Sequence, residues 1–238
     1  MAELGAELAV GVNAGQLPLL LPPGGATAAH AFLARLVRYD PRVAVRLQLD
    51  GARVALWGPS PTGVLVVIAL PLAEPAHPHW GSGLTVSASR LLDAVDAGAV
   101  DGPEVDLEVR EVALPEPVTG PGSLGHLPAR AGWVSSFPLP GRAAAGAVDS
   151  LVTRVRGAGL SVMDPQALAD ELWDGDSFPG IPSRALHGLR LLGLLPGVNS
   201  PALPESLLVA DNGPWRRVGW RAGSAVWRVD KGPTLLFG

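Results

Sequence analysis

The densest gathering of chemically capable side chains lies near the end of the chain. Between Trp215 and Lys231 stand three Trp, four Arg and one Lys, against the single Asp230. Guanidinium groups contact phosphate and carboxylate, and indole rings offer stacking faces, so this interleaving suits an anionic partner. Trp215, Arg216, Arg217, Trp220, Arg221, Trp227 and Arg228 therefore form the candidate anionic-partner-binding set. The plain alternative is a sheet with Trp turned inward and Arg turned to solvent.

Elsewhere the inventory is thin. His77 and His79 stand two apart, a spacing that can bring two imidazoles to one metal. Pro78 separates them and no third ligand is adjacent, so an exposed loop is the better reading and no metal site is assigned. His30 has no partner at helical spacing. Gly120, Gly122 and Gly125 spell G-x-G-x-x-G, but Pro121 lies inside it and His126-Leu127-Pro128 follows. That fingerprint works only between a strand and a helix whose N-terminus meets the pyrophosphate, so it is rejected here. Asp170 and Glu171 are helix neighbours, whose side chains diverge.

With no cysteine, disulfides, thiolate nucleophiles, Fe–S clusters and Cys-ligated zinc are excluded. Lys231 is the sole lysine, so Schiff-base or phosphate-loop lysine chemistry has one candidate. There is no G-x-S-x-G, phosphate-binding loop or H-E-x-x-H. No catalytic residue and no cofactor is assigned, and the balance leans away from an enzyme.

The elements that must carry the Arg/Trp patch are legible from periodicity. Leu207–Ala210, Trp215–Arg221, Ala225–Val229 and Thr234–Phe237 are separated by DNGP, AGS and DKGP turns, which predicts a β-meander. Three helices should precede it. One runs from Arg142 to Arg156; another, capped by Ser183, carries Leu186, Leu189, Leu192 and Leu195. A short helix opening at Asp164-Pro165 lies between them. Its nine-residue link to Ser183 is too long for a helix-turn-helix.

The N-terminal half reads strand, helix, three strands, then strand, helix, strand. Leu17–Leu21 is an edge strand; Thr27 caps a helix that stops before Pro41. Val43, Val45, Leu47 and Leu49 alternate with polar residues up to the Asp50-Gly51 hairpin signal. Val64–Leu70 is apolar on both parities, so both its faces should be covered. Ser87 caps a helix that Gly98 closes, and Val105, Leu107 and Val109 alternate in the strand that follows.

The expected fold class is α+β, with two mixed units of antiparallel sheet and packed helices and a C-terminal β-meander. The expected division is an N-terminal unit over 1–112, a Pro/Gly-rich connection over 113–141 and a C-terminal unit over 142–238.

The stretch LTVSASRLLDAVDAGAVDGPEVDLEV resembles the strand–helix–strand passage of bacterial DNA sliding clamps, a resemblance covering residues 26–109. It implies a DNA-associated, clamp-like protein whose Arg35, Arg38, Arg90, Arg142, Arg154 and Arg156 would line one positive surface. The whole chain also resembles uncharacterised proteins of high-GC Gram-positive (actinobacterial) organisms. A resemblance in size and mixed fold to the type VII secretion chaperones of actinobacteria supplies a third reading.

Apolar residues make up 47% of the 238 and charged ones 17%, so disorder is excluded. No apolar run approaches the roughly 18 residues a membrane span requires. The acidic start, MAELGAELAVGVNAG, lacks the Lys or Arg of a secretory signal, so a soluble cytoplasmic protein is expected. A net charge of −4 opposes broad coating of nucleic acid. The leading expectation is a non-catalytic protein that binds a macromolecular partner. Protein comes first and nucleic acid second; no membrane is involved, and homo-oligomer formation is a further expectation.

Overall fold

The computed structural model describes residues 18–75, 83–98, 109–158 and 171–229. They form an α+β fold whose sheets are antiparallel throughout. In chain order the elements are β1 (Leu19–Leu21), α1 (Pro23–Tyr39), β2 (Ala44–Asp50), β3 (Arg53–Pro59), β4 (Leu65–Pro71), β5 (Leu84–Ser87), α2 (Ala88–Ala97) and β6 (Arg110–Val112). Then come the single turn α3 (Gly122–Gly125), β7 (Val134–Pro140), α4 (Gly141–Ala158), β8 (Asp176–Phe178), β9 (Ile181–Pro182), α5 (Ser183–Leu191), β10 (Ser206–Asn212), β11 (Trp215–Trp220) and β12 (Gly223–Arg228). No helix among the described residues is long and apolar enough to cross a membrane.

Eight strands make one sheet in the order β5-β2-β3-β4-β12-β11-β10-β7. The hairpins arise from local turn chemistry. Asp50 pairs with Arg53 across a two-residue loop in which Gly51 takes φ 56°. Asn212 pairs with Trp215 across Gly213-Pro214, with Gly213 at φ 57°. A positive φ followed by a proline is the II′ geometry that matches strand twist. The decisive junction is long-range: Val226, Ala225 and Ser224 of β12 pair with Leu65, Val66 and Val67 of β4, so strands from both halves of the chain share one sheet.

One face of this sheet carries the helices and the principal core. Phe32, Leu33 and Leu36 of α1, Leu91 and Val95 of α2, Val148 of α4, and Leu186 and Leu189 of α5 pack there. Val45, Leu47, Leu56, Val66, Ile68, Leu207 and Val218 meet them from the strands. Each such side chain contributes about 1.5–3 kcal/mol when fully buried. The β3–β4 turn is tied to α5 by buried hydroxyls, Ser60 Oγ to Thr62 Oγ1 at 2.9 Å and Thr62 Oγ1 donating to the Arg184 carbonyl at 2.8 Å. Gly188 permits that approach, because a Cβ there would stand 2.9 Å from Thr62 Oγ1 and 3.0 Å from Ser60 Oγ.

The opposite face is mostly open. A segment of the Pro/Gly-rich connection crosses it as a strap, seating Leu124 and Leu127 against Ala44, Trp57, Leu65 and Val226. Val64–Leu70 is accordingly covered on both faces only in part: Val67 is half-buried, and Ala69, beyond the strap, is exposed.

Three local expectations are corrected. Thr27 is no cap; α1 starts at Pro23, and Thr27 Oγ1 donates back to the Pro23 carbonyl at 3.1 Å. Proline suits the first helical turn, whose N–H groups lack partners in any case, so Pro22-Pro23 opens the helix. Ser183 is the first residue of α5, behind Pro182, and its hydroxyl turns to Ser177 Oγ at 2.8 Å. The N-terminal edge strand exists as β1, but it pairs with β6 in a separate two-stranded ribbon. By contrast, Ser87 caps α2 as expected, accepting from the Arg90 N–H, with Gly98 at the C-cap. His77 and His79, the strand residues Val105 and Leu107, the helix start at Asp164-Pro165 and the strand Thr234–Phe237 lie outside the described residues.

An arginine- and tryptophan-lined candidate site on the open sheet face

Strand alternation divides the seven-residue set. On β11, Trp215 and Arg217 face the open side, while Arg216 and Val218 face the helices. On β12, Val226 and Arg228 face the open side, while Ala225 and Trp227 face the principal core. Arg216 is consumed internally. Its Nε donates to Asp211 Oδ1 at 2.6 Å, and its Nη1 donates to the Gly180 carbonyl at 3.2 Å. Trp227 packs against the principal core. At the tip of the hairpin, Trp220 Nε1 donates to the Leu194 carbonyl at 2.6 Å, which fixes the ring at the sheet margin. Arg216 and Trp227 thus leave the candidate surface; Trp215, Arg217, Trp220, Arg221 and Arg228 remain.

Three of these arginines lie over indole rings. Arg217 is 4.5 Å from the centre of the Trp133 ring, Arg221 is 5.5 Å from Trp220 and Arg228 is 5.5 Å from Trp215. The first joins β11 to the strap. Around it opens a hollow of about 410 Å³, lined by Gln48, Arg53, Trp57, Val67, Arg130, Trp133, Arg217 and Arg221, with Asp50 also on its wall. Its floor is apolar, and Trp57, only 7% exposed, has its indole N–H satisfied by Gln48 Oε1 at 3.0 Å. Near α3 a second hollow of about 830 Å³ mixes charges: Asp174, Asp176 and His126 with Arg184 and Arg228. Arg184 is paired there with Asp174.

The first hollow is electrostatically one-sided. Arg130 reaches Asp50 at 4.0 Å. Among the described residues no carboxylate lies within ion-pair distance of Arg53, Arg217 or Arg221. Burial lowers the Arg217 pKa from its ordinary value by penalising the charged form. The guanidinium remains protonated, so it is a partly dehydrated cation that rests on the face of an indole ring.

The strap is held in register by Asn212, whose Nδ2 donates to the carbonyls of Ala129 at 3.1 Å and Ala131 at 2.8 Å. Arg53, Trp57, Arg130, Trp133 and Asn212 were outside the sequence-derived set. Nothing in their local spacing marks them, since only the strand order and the crossing of the strap bring them together. The six arginines of the helices, Arg35, Arg38, Arg90, Arg142, Arg154 and Arg156, are all exposed on α1, α2 and α4, in the layer opposite the hollow. Among the described residues no group of three or more His, Asp or Glu is placed to hold a metal ion.

Residues 16–121 match a family model described as a domain of unknown function (DUF8010), and residues 128–232 match a second, also described as a domain of unknown function (DUF8185). No curated protein matches the sequence. Among solved structures the chain is similar to the DNA polymerase sliding clamp from Caulobacter crescentus, with a TM-score of 0.48 and 12% identity. That similarity covers 91% of this chain and 66% of the clamp chain, so this chain spans about two thirds of the clamp's length.

Proposed function

We propose that this protein is a non-catalytic cytoplasmic binding protein that takes an anionic macromolecular partner on the open face of its eight-stranded sheet. The observation that carries this reading is Arg217. It is a half-buried cation without a carboxylate among the described residues, and it shares its hollow with Arg53 and Arg221. A cation held partly out of water gains most from an anion delivered to it, because the water it would otherwise keep is already lost. A protein partner is favoured over nucleic acid because Trp133 and Trp215 each lie under a guanidinium and against apolar neighbours, leaving no open ring face for base stacking.

A second reading keeps nucleic acid as the partner and places it on the helix layer, where Arg35, Arg38, Arg90, Arg142, Arg154 and Arg156 are exposed. Affinity capture from the source cell, run with and without nuclease, separates the two. Capture of a protein that survives nuclease and is lost in Arg217→Ala with Arg221→Ala supports the open-face reading. Partners that vanish with nuclease and ignore those substitutions refute it.

A further inference from the structure

We infer that the 410 Å³ hollow receives an acidic peptide segment of a partner protein, with an aliphatic side chain seated on its floor and flanking carboxylates on Arg53, Arg217 and Arg221. This rests on the open-face reading above and specifies the chemistry of its partner.

The floor and the rim ask for different things. Ala55, Trp57, Val67 and Val226 present carbon, and the one buried indole N–H among them is already bonded, so the floor rewards an apolar group without demanding a polar one. Arg53 and Arg221 are exposed at the rim, and Arg217 stands half-buried in the wall. Planar guanidinium groups pair with carboxylates through two parallel hydrogen bonds. A chain bearing acidic residues on either side of an aliphatic one matches both surfaces at once.

A single strand of nucleic acid matches them poorly. Sequence-tolerant binding of bases needs open aromatic faces. Here Trp133 and Trp215 each have a guanidinium over the ring and apolar neighbours packed against them, while Trp57 is buried. The hollow also has the volume of a small-ligand pocket rather than a track along a strand.

The test is fluorescence anisotropy on the full chain with three labelled probes. They are an oligoglutamate peptide with isoleucine at its centre, the all-glutamate peptide of the same length, and an oligodeoxythymidylate of the same charge. The isoleucine peptide is expected to bind tightest. Arg53→Glu with Arg221→Glu, both exposed positions, should weaken it at least about tenfold, the scale of losing one charged hydrogen-bond pair. Circular dichroism confirms that this variant is folded, and Arg35→Glu with Arg38→Glu on the helix layer should leave binding unchanged. Equal binding of the all-glutamate peptide overturns the aliphatic seat. Binding of the oligonucleotide in place of both peptides, lost in the Arg53/Arg221 variant, overturns the inference while leaving an anion-binding face. Binding of no probe overturns both.

Discussion

The guanidinium of Arg217 rests 4.5 Å from the centre of the Trp133 ring, joining β11 to a strap that enters the sheet from far away in sequence. The pair sets the shape of the hollow. Both side chains line it, and the cation covers one face of the ring. The strap is thus part of the candidate site as well as a linker between two halves of the chain.

That pair should be energetically coupled. Partly desolvated cation–π contacts are worth about 1 kcal/mol, between exposed and fully dehydrated cases. Arg217→Ala, Trp133→Ala and the double variant, measured by urea denaturation, should show a coupling of about that size. Strict additivity would mean that the two side chains merely lie near each other.

Asn212 should control the order of the strap without holding up the sheet. Its amide donates to two strap carbonyls, Ala129 and Ala131. Asn212→Asp puts an acceptor against two acceptors at an exposed site and should cost about 0.5–1.5 kcal/mol. Hydrogen exchange should accelerate at residues 129–133 while β11 and β12 stay protected. Uniform acceleration across the whole sheet would contradict this local role.

His187 should give the protein an acid-side loss of stability. Trp173 Nε1 donates to His187 Nδ1 at 2.8 Å, and an indole N–H can only donate, so the ring is neutral with its proton on Nε2. Burial first, then the Arg190 charge, lower the His187 pKa below its ordinary 6.5. Below that value the unfolded chain binds a proton that the folded chain resists. The contribution is therefore complete above pH 6.5 and is lost as pH falls towards the lowered folded value. Thermal melts should show a lower Tm at about pH 5.5 than at about pH 7.5, with a smaller difference in His187→Gln. An equal difference in both proteins would show that other groups set the pH dependence.

Much of the architecture could be read locally, and the site could not. Asp50-Gly51, the DNGP turn and the Ser87 cap each act within four residues, and each appears where its chemistry requires. Thr27 and Ser183 failed as caps because a neighbouring proline already set the helix start. The Arg/Trp patch was visible as composition, but strand alternation turned Arg216 and Trp227 to the other face. Arg53, Trp57 and Trp133 joined the hollow through the pairing of β4 with β12 and the path of the strap. Long-range register of that kind leaves no periodic trace in one sequence.

The two ends of the sheet make a last prediction. Just beyond β7, Gly141 N donates inward to the Glu205 carbonyl at 2.8 Å, so from Phe137 to Gly141, up to the bulge, odd-numbered residues face β10 and Pro138 and Pro140 fall on the outward parity. Proline there removes the donors that another strand would need. At the far edge, Val118 N donates to the Thr85 carbonyl at 2.9 Å, and Pro117 bridges to Val86, so the connection covers β5. Both margins are blunted against strand addition, even though Val134 and Phe137 remain exposed on β7. Pro138→Thr with Pro140→Thr restores two outward N–H groups beside those side chains. In sedimentation-velocity runs over a concentration series, the variant should self-associate more than the wild-type chain. Superimposable sedimentation of the two proteins would show that the prolines do not guard this edge.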